Sequence, residues 1–175
     1  MTAGGKKAIV PLPEGTRYIV IDAGGGTVDI TVHEVMDNGN LKELHKATGG
    51  ACGGQEVNEC FKQFLIKIFG GPVLQEFKIE AMDDYIGIFR DFELKKLRID
   101  NSVMKDFFDK AVKTAMNHIQ AFYDTDDRFG ITVALLVGGF SESPMVSNTF
   151  RKIFPSWNVV VPDDAGLVVL KGAVL

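Results

Sequence analysis

The residues of this chain with the clearest chemical potential are Asp22, Gly24, Gly25, Gly26, Thr27 and Asp29. They follow the apolar run Tyr18-Ile-Val-Ile, which reads as a strand buried on both faces that ends at the carboxylate of Asp22. Three glycines let a backbone approach an anion with no Cβ in the way, so successive N–H groups can point at phosphate oxygens. Past them, Val28-Asp-Ile-Thr-Val-His-Glu alternates in type: Val28, Ile30 and Val32 face a core, while Thr27, Asp29 and Thr31 point the other way. Asp22 and Asp29 then flank one phosphate-sized gap. That geometry suits a hydrated magnesium ion, which keeps several waters and needs one or two carboxylates nearby. The competing reading is a tight hairpin with two solvated turn aspartates.

A second glycine turn shifts the balance toward chemistry. Val133-Ala-Leu-Leu-Val137 is another buried strand and leads into Gly138, Gly139, Phe140 and Ser141. Ser141-Glu-Ser-Pro144 has the residue types that start a helix, with Ser141 as cap and Pro144 in the first turn. A helix amino terminus beside a glycine turn is a second surface that tolerates an anion.

Elements must position these turns. Residues 1–16, with Pro11 and Pro13, read as an extended lead-in. Strands are expected at about 18–23, 28–35 and 41–47, with Asp37-Asn-Gly-Asn40 as a hairpin signal between the last two. Gly49, Gly50, Gly53 and Gly54 break the chain before a helix at about 55–69, whose Val57, Phe61, Phe64, Leu65 and Ile68 recur at helical spacing. The stretch 72–99 reads as helical in its second half only. A long helix at about 102–123 follows, then strand 131–137, helix 142–154, strand 158–161 and helix 164–174. Strands first, then strand–helix alternation, predict an α/β domain with a mixed sheet covered by helices.

The sequence has 175 residues, 46% hydrophobic and 24% charged, which fits one globular domain with a sizeable core. A net charge of −4 without a basic stripe argues against a nucleic-acid partner. Cys52 and Cys60 have no CxxC spacing and no histidines at ligand spacing, so free thiols are expected. No apolar stretch is long enough for a signal-peptide core or a membrane span, so the expectation is a cytoplasmic protein without a membrane partner. His33, His45 and His118 suggest neither a metal site nor a triad.

The segments DAGGGTVDITVHEV and LLVGGFSESPMV resemble the second phosphate motif and the adenosine motif of the 70-kilodalton heat-shock protein family, within the actin-like ATPase superfamily. Leu41-Lys-Glu-Leu-His-Lys-Ala-Thr-Gly-Gly50, Phe61 to Gly70 and the ending from Val161 are similar to that family's divergent 12A-like branch. The resemblance implies a ribonuclease-H-like, actin-like half-domain with a five-stranded mixed sheet in the order βββαβαβα. It would be the second lobe of a nucleotide-binding domain over 17–175, with a shortened upper subdomain at about 70–101.

It also implies ATP or ADP with magnesium as cofactor. Asp22 and Asp29 would sit near the metal and its waters, Gly24, Gly25 and Gly26 would donate to phosphates, and Thr27 would meet the γ-phosphate or the attacking water. Gly138, Gly139, Phe140, Ser141 and Asp163 would lie at the adenosine end, with Glu93 and Lys96 reaching the ribose. Two family arginines that pack on adenine are replaced by Leu97 and Glu142. The first lobe and its catalytic groups have no counterpart in the sequence, so little hydrolysis is expected of the chain alone. The expected partners are a nucleotide and a separate first lobe or other protein over the exposed cleft, together with self-association. The alternative is a noncatalytic interaction module that keeps the fold without nucleotide; a sugar kinase would need a hexose-binding segment, and none is evident.

Overall fold

A computed structural model describes residues 11–94, 96–125 and 130–173. Three strands come first: β1 (Arg17–Ala23), β2 (Val28–Val35) and β3 (Leu41–Gly50). Four helices follow: α1 (Gln55–Phe69), α2 (Gly71–Glu80), α3 (Met82–Glu93) and α4 (Asn101–Thr125). Then come β4 (Val133–Val137), a 3-10 turn (Gly139–Glu142), α5 (Pro144–Ile153), β5 (Asn158–Val160) and α6 (Val168–Ala173). The sheet has five strands in the order β3-β2-β1-β4-β5. β1–β2 and β2–β3 are antiparallel, while β1–β4 and β4–β5 are parallel, so the expected mixed sheet is present.

Its register follows from the apolar pattern. Ile19, Ile21 and Ala23 stand opposite Val32, Ile30 and Val28 on one face, and all six are buried. Ala134 and Leu136 extend that face across β4. It joins one continuous core with Val57, Phe61 and Leu65 of α1, Phe107, Ala111, Ala115 and Ile119 of α4, and Val146 and Phe150 of α5. On the opposite face, Val20, Asp22, Thr31 and His33 are only partly covered.

The hairpin at 37–40 forms as its sequence predicts: Gly39 takes φ of 75° and the Met36 N–H donates to the Asn40 carbonyl at 2.8 Å. Three expectations need correction. β3 runs on through Gly49 and Gly50, because both pair with β2 opposite Asp29 and Val28. The 72–99 stretch is helical in its first half as well, as two helices broken at Ala81, and the second of them ends at Glu93. The residue before α5 is Ser143 rather than Ser141; its side chain makes no cap hydrogen bond, and Pro144 opens the helix. Of the lead-in, residues 1–10 lie outside the described residues; the remainder is tied down by the Gly15 N–H donating to the Val35 carbonyl at 2.8 Å.

α1, α3 and α4 lock together through aromatic rings. Phe61 stacks on Phe92 with centroids 4.1 Å apart and meets Phe89 and Phe107 edge-on. This cluster fixes the helices that wall the cleft described below.

Candidate nucleotide cleft

The two acidic residues face each other across a ladder. Asp22 pairs directly with Asp29, which places both side chains on one face of the sheet. Like charges directly opposite each other destabilise a sheet unless a cation or hydrogen bonds offset them. One such bond is present: the Thr27 hydroxyl donates to Asp29 Oδ2 at 2.9 Å. The third strand makes room for the pair, since Gly49 lies opposite Asp29 and a Cβ there would run into the Asp29 carboxylate.

Between the aspartates, the turn at 24–26 is held from below. The N–H groups of Gly53, Gly54 and Gln55 donate to the carbonyls of Gly26, Gly24 and Gly25 at 3.3, 3.0 and 2.7 Å. The amino terminus of α1 is thereby spent on the turn's carbonyls and is not itself an anion site. A Cβ on Gly53 would lie 2.5 Å from the Gly24 carbonyl oxygen, so this docking requires glycine. With the carbonyls engaged inward, the N–H groups of Gly25, Gly26 and Thr27 carry no hydrogen bond among the described residues and lie exposed.

The hairpin alternative fails to explain these glycines. None of the three has a positive φ, and a Cβ on Gly25 or Gly26 would meet nothing within 4 Å. Neither backbone strain nor internal packing calls for glycine there; the space above the turn is simply kept open.

The second glycine turn meets the first. Gly138 has φ of 85°, and a Cβ there would collide with the Ala23 carbonyl and the Asp22 carboxylate. Glycine is thus needed both for conformation and for approach to Asp22. The Gly138 N–H donates to the Ala165 carbonyl at 2.9 Å, and the Gly166 N–H donates to Glu142 Oε1 at 2.9 Å, so the loop before α6 is strapped to this turn.

A cleft of about 970 Å³ opens between these loops and the helices. Gly25 stands in its wall, with Gly139, Phe140, Glu142 and Met145 from the second turn. Gln55 and Asn58 of α1, Phe92 and Glu93 of α3, Met104 and Phe108 of α4, and Ser143 before α5 also line it. The volume is that of a small-molecule site, with apolar walls and a few polar groups. Among the described residues, no cluster of three or more His, Cys, Asp or Glu could hold a metal ion. Of the first turn and its flanks only Gly25 lines the cleft; Asp22, Gly24, Gly26, Thr27 and Asp29 do not. The turn itself offers open N–H groups suited to phosphate, with two carboxylates suited to a hydrated ion on the same sheet face.

Not every residue singled out in the sequence reaches this place. Glu93 does, and its Oε1 accepts from Asn58 Nδ2 at 2.7 Å. Lys96 instead forms an exposed ion pair with Asp91 at 3.5 Å. Ser141 is buried inside its own turn and donates to the Val137 carbonyl at 2.7 Å, so its hydroxyl is spent. Phe140 is buried, stacks with Phe108 and lines the cleft. Asp163 is exposed in the loop before Ala165 and outside the cleft lining. Leu97, in place of a family arginine, packs against the core. Gly49, Gly53, Asn58, Met104 and Phe108 were not evident as site residues from the sequence. Only the density of glycines after β3 hinted at the first two.

The five-stranded mixed sheet with its helices defines the class by fold: an actin-like half-domain. A solved structure, the "pCBH ParM non-polymerisable quadruple mutant", shares this fold with a TM-score of 0.60 at 14% identity, covering 94% of this chain and 49% of that one. Heat shock 70 kDa protein 12A of Homo sapiens is 29% identical over 94% of this chain and 32% of its own length. Heat shock 70 kDa protein 12B of Homo sapiens is 30% identical over 92% and 31%. A chaperone protein HscA homologue of Rickettsia typhi is 22% identical over 91% and 27%. Heat shock 70 kDa proteins 12A and 12B are homologues of this chain, which spans about a third of their length. No family model matches the chain.

The match with 12A extends over 216 residues, more than the 175 of this chain, so the relative carries additional residues within the matched span.

Proposed function

We propose that the chain binds ATP or ADP with magnesium as the second lobe of a heat-shock-70-like nucleotide-binding domain, in a chaperone-related, cytoplasmic protein. The observation that carries this reading is the glycine turn at 24–26, whose carbonyls are tied down while its N–H groups face open space beside Asp22 and Asp29. In this reading the outward N–H groups take the β- and γ-phosphates, the carboxylates orient magnesium-bound water, and Thr27 holds Asp29 in place. Glu93 offers its free oxygen to the sugar hydroxyls. Bound magnesium would neutralise phosphate charge.

Phosphoryl transfer needs charge stabilisation around the γ-phosphate and a positioned nucleophile. The cleft wall contains no Lys or Arg. Binding without turnover is therefore the expected behaviour of the chain alone. Calorimetry should register MgATP binding that falls when Asp22→Asn or Asp29→Asn is introduced. Phosphate release should not exceed a buffer blank; turnover abolished by Asp22→Asn would show a catalytically complete chain. Titration of wild type with no heat at millimolar MgATP would refute the binding reading.

One observation favours a second reading, a noncatalytic interaction module. Leu167, Val169 and Leu170 at α6 are exposed, as are Val73 and Ile79 of α2. Apolar surface of this kind suits a protein partner such as a first lobe. A fold retained without nucleotide binding in the calorimetry above would support this alternative.

A further inference from the structure

Each of the two glutamates in the cleft wall is pinned through one oxygen and keeps the other free. Glu93 Oε1 is held by Asn58 and Glu142 Oε1 by the Gly166 N–H; neither Oε2 has a hydrogen-bond partner among the described residues. The other polar groups of the wall are neutral: Gln55, Asn58 and Ser143. Glu142 is held with particular economy. A Cβ on Gly166 would lie 3.1 Å from Glu142 Oε1, a tight contact that the carboxylate would have to ease by moving slightly.

Resting on the nucleotide reading above, we propose that Glu142 selects the base, and that the cleft takes guanine nucleotides at least as well as adenine ones. An ionised carboxylate only accepts hydrogen bonds. Guanine presents two adjacent donors, N1–H and the N2 amino group. Adenine presents one donor at N6 beside the N1 lone pair, which a carboxylate repels. The apolar walls of Phe108, Met104 and Met145 serve any purine face and discriminate little. Glu93, taken up by sugar hydroxyls, discriminates nothing, because both nucleotides carry the same sugar. Selectivity then falls to Glu142. An acceptor already fixed by Gly166 needs little further ordering on binding, and a ligand lacking the matching donor leaves it desolvated and unpaired.

The test is calorimetric titration of the wild-type chain with MgATP, MgGTP and magnesium tripolyphosphate, repeated on Glu142→Gln. The amide oxygen of glutamine keeps the Gly166 bond while the charge is lost. Wild type should bind MgGTP with a Kd equal to or below that of MgATP. Glu142→Gln should weaken MgGTP about tenfold, the size of a hydrogen bond to a charged group, and MgATP less than about threefold. Tighter binding of MgATP than MgGTP by more than about threefold in wild type, or equal weakening of both by Glu142→Gln, overturns the assignment and leaves the nucleotide reading intact. No heat with any of the three probes overturns both. If Glu142→Gln fails to fold, the wild-type MgATP-to-MgGTP ratio decides alone.

Discussion

Glycine has three separate jobs around the cleft, and each has its own signature on substitution. At Gly138 the backbone is left-handed and packed against Asp22, so Gly138→Ala should cost about 1–3 kcal/mol of stability and also disturb binding. Gly49→Ala should force the Asp29 carboxylate aside and weaken magnesium-dependent binding, with a stability loss set by how far β3 can shift. At Gly25 neither constraint applies, so Gly25→Ala should leave the melting temperature nearly unchanged, within about 0.5 kcal/mol, while weakening nucleotide binding. Thermal melts paired with calorimetry on the three variants check this. A Gly25→Ala protein that melts early but binds normally would return that residue to a structural role.

Asp164 takes a positive φ of 57° and bonds Lys171 at 2.7 Å. That hydrogen bond, with the lysine charge, holds its carboxyl below the usual 3.8. A depressed carboxyl contributes stability that is present above its unfolded value and lost as pH falls through the folded one. An NMR titration of Asp164 should give a midpoint under 3.8, and Lys171→Ala should raise it toward that value. An unchanged midpoint would show that the pair is not formed in solution.

Among the elements, α1 has the most to coordinate. Its amino terminus supports the phosphate turn, Asn58 bridges to Glu93 of α3, and Phe61 joins α3 and α4 through ring contacts. Phe61 is nearly fully buried, so Phe61→Ala should cost about 3–5 kcal/mol from lost burial and the cavity left behind. Because Phe61 also sets the spacing of α1 and α3, nucleotide affinity should fall in any fraction that stays folded. Urea unfolding monitored by circular dichroism measures the first effect. A loss below about 1 kcal/mol would mean that the helices repack around the gap.

At the scale of the whole molecule, one face of the sheet is fully covered and the other only in part. Ile79 of α2 is 72% exposed and Leu170 of α6 65%. Burying such groups is worth roughly 25 cal/mol per Å² of apolar area, so a concentration-dependent self-association is expected. Light scattering should show the average mass rising with concentration, and Leu170→Lys with Val169→Lys should reduce that rise if α6 is the contact. A constant monomer mass over a wide range would show that these groups tolerate water.

How far the sequence alone reached can be judged element by element. α1, β2 and the 37–40 hairpin lie where their apolar spacing and turn residues put them, because these signals are local: a 3.6-residue stripe, a two-residue alternation, an Asn-Gly pair. The two glycine motifs offered Asp22, Asp29 and the first turn as candidates from residue type alone, and of these only Gly25 lines the cleft. What spacing does not contain is which residues from distant segments share a wall. The Asp22–Asp29–Gly49 row depends on strand register across three strands, and the docking of Gly53 beneath residues 24–26 depends on how α1 meets the sheet. Ser141 carries a residue type that suits both a cap and a ligand contact, and only the packing of its turn spends its hydroxyl on Val137. The sequence by itself determined the chemistry on offer, because residue types and short-range periodicity are written in it; tertiary structure decided which of those groups reach the cleft, because long-range packing sets their distance and burial.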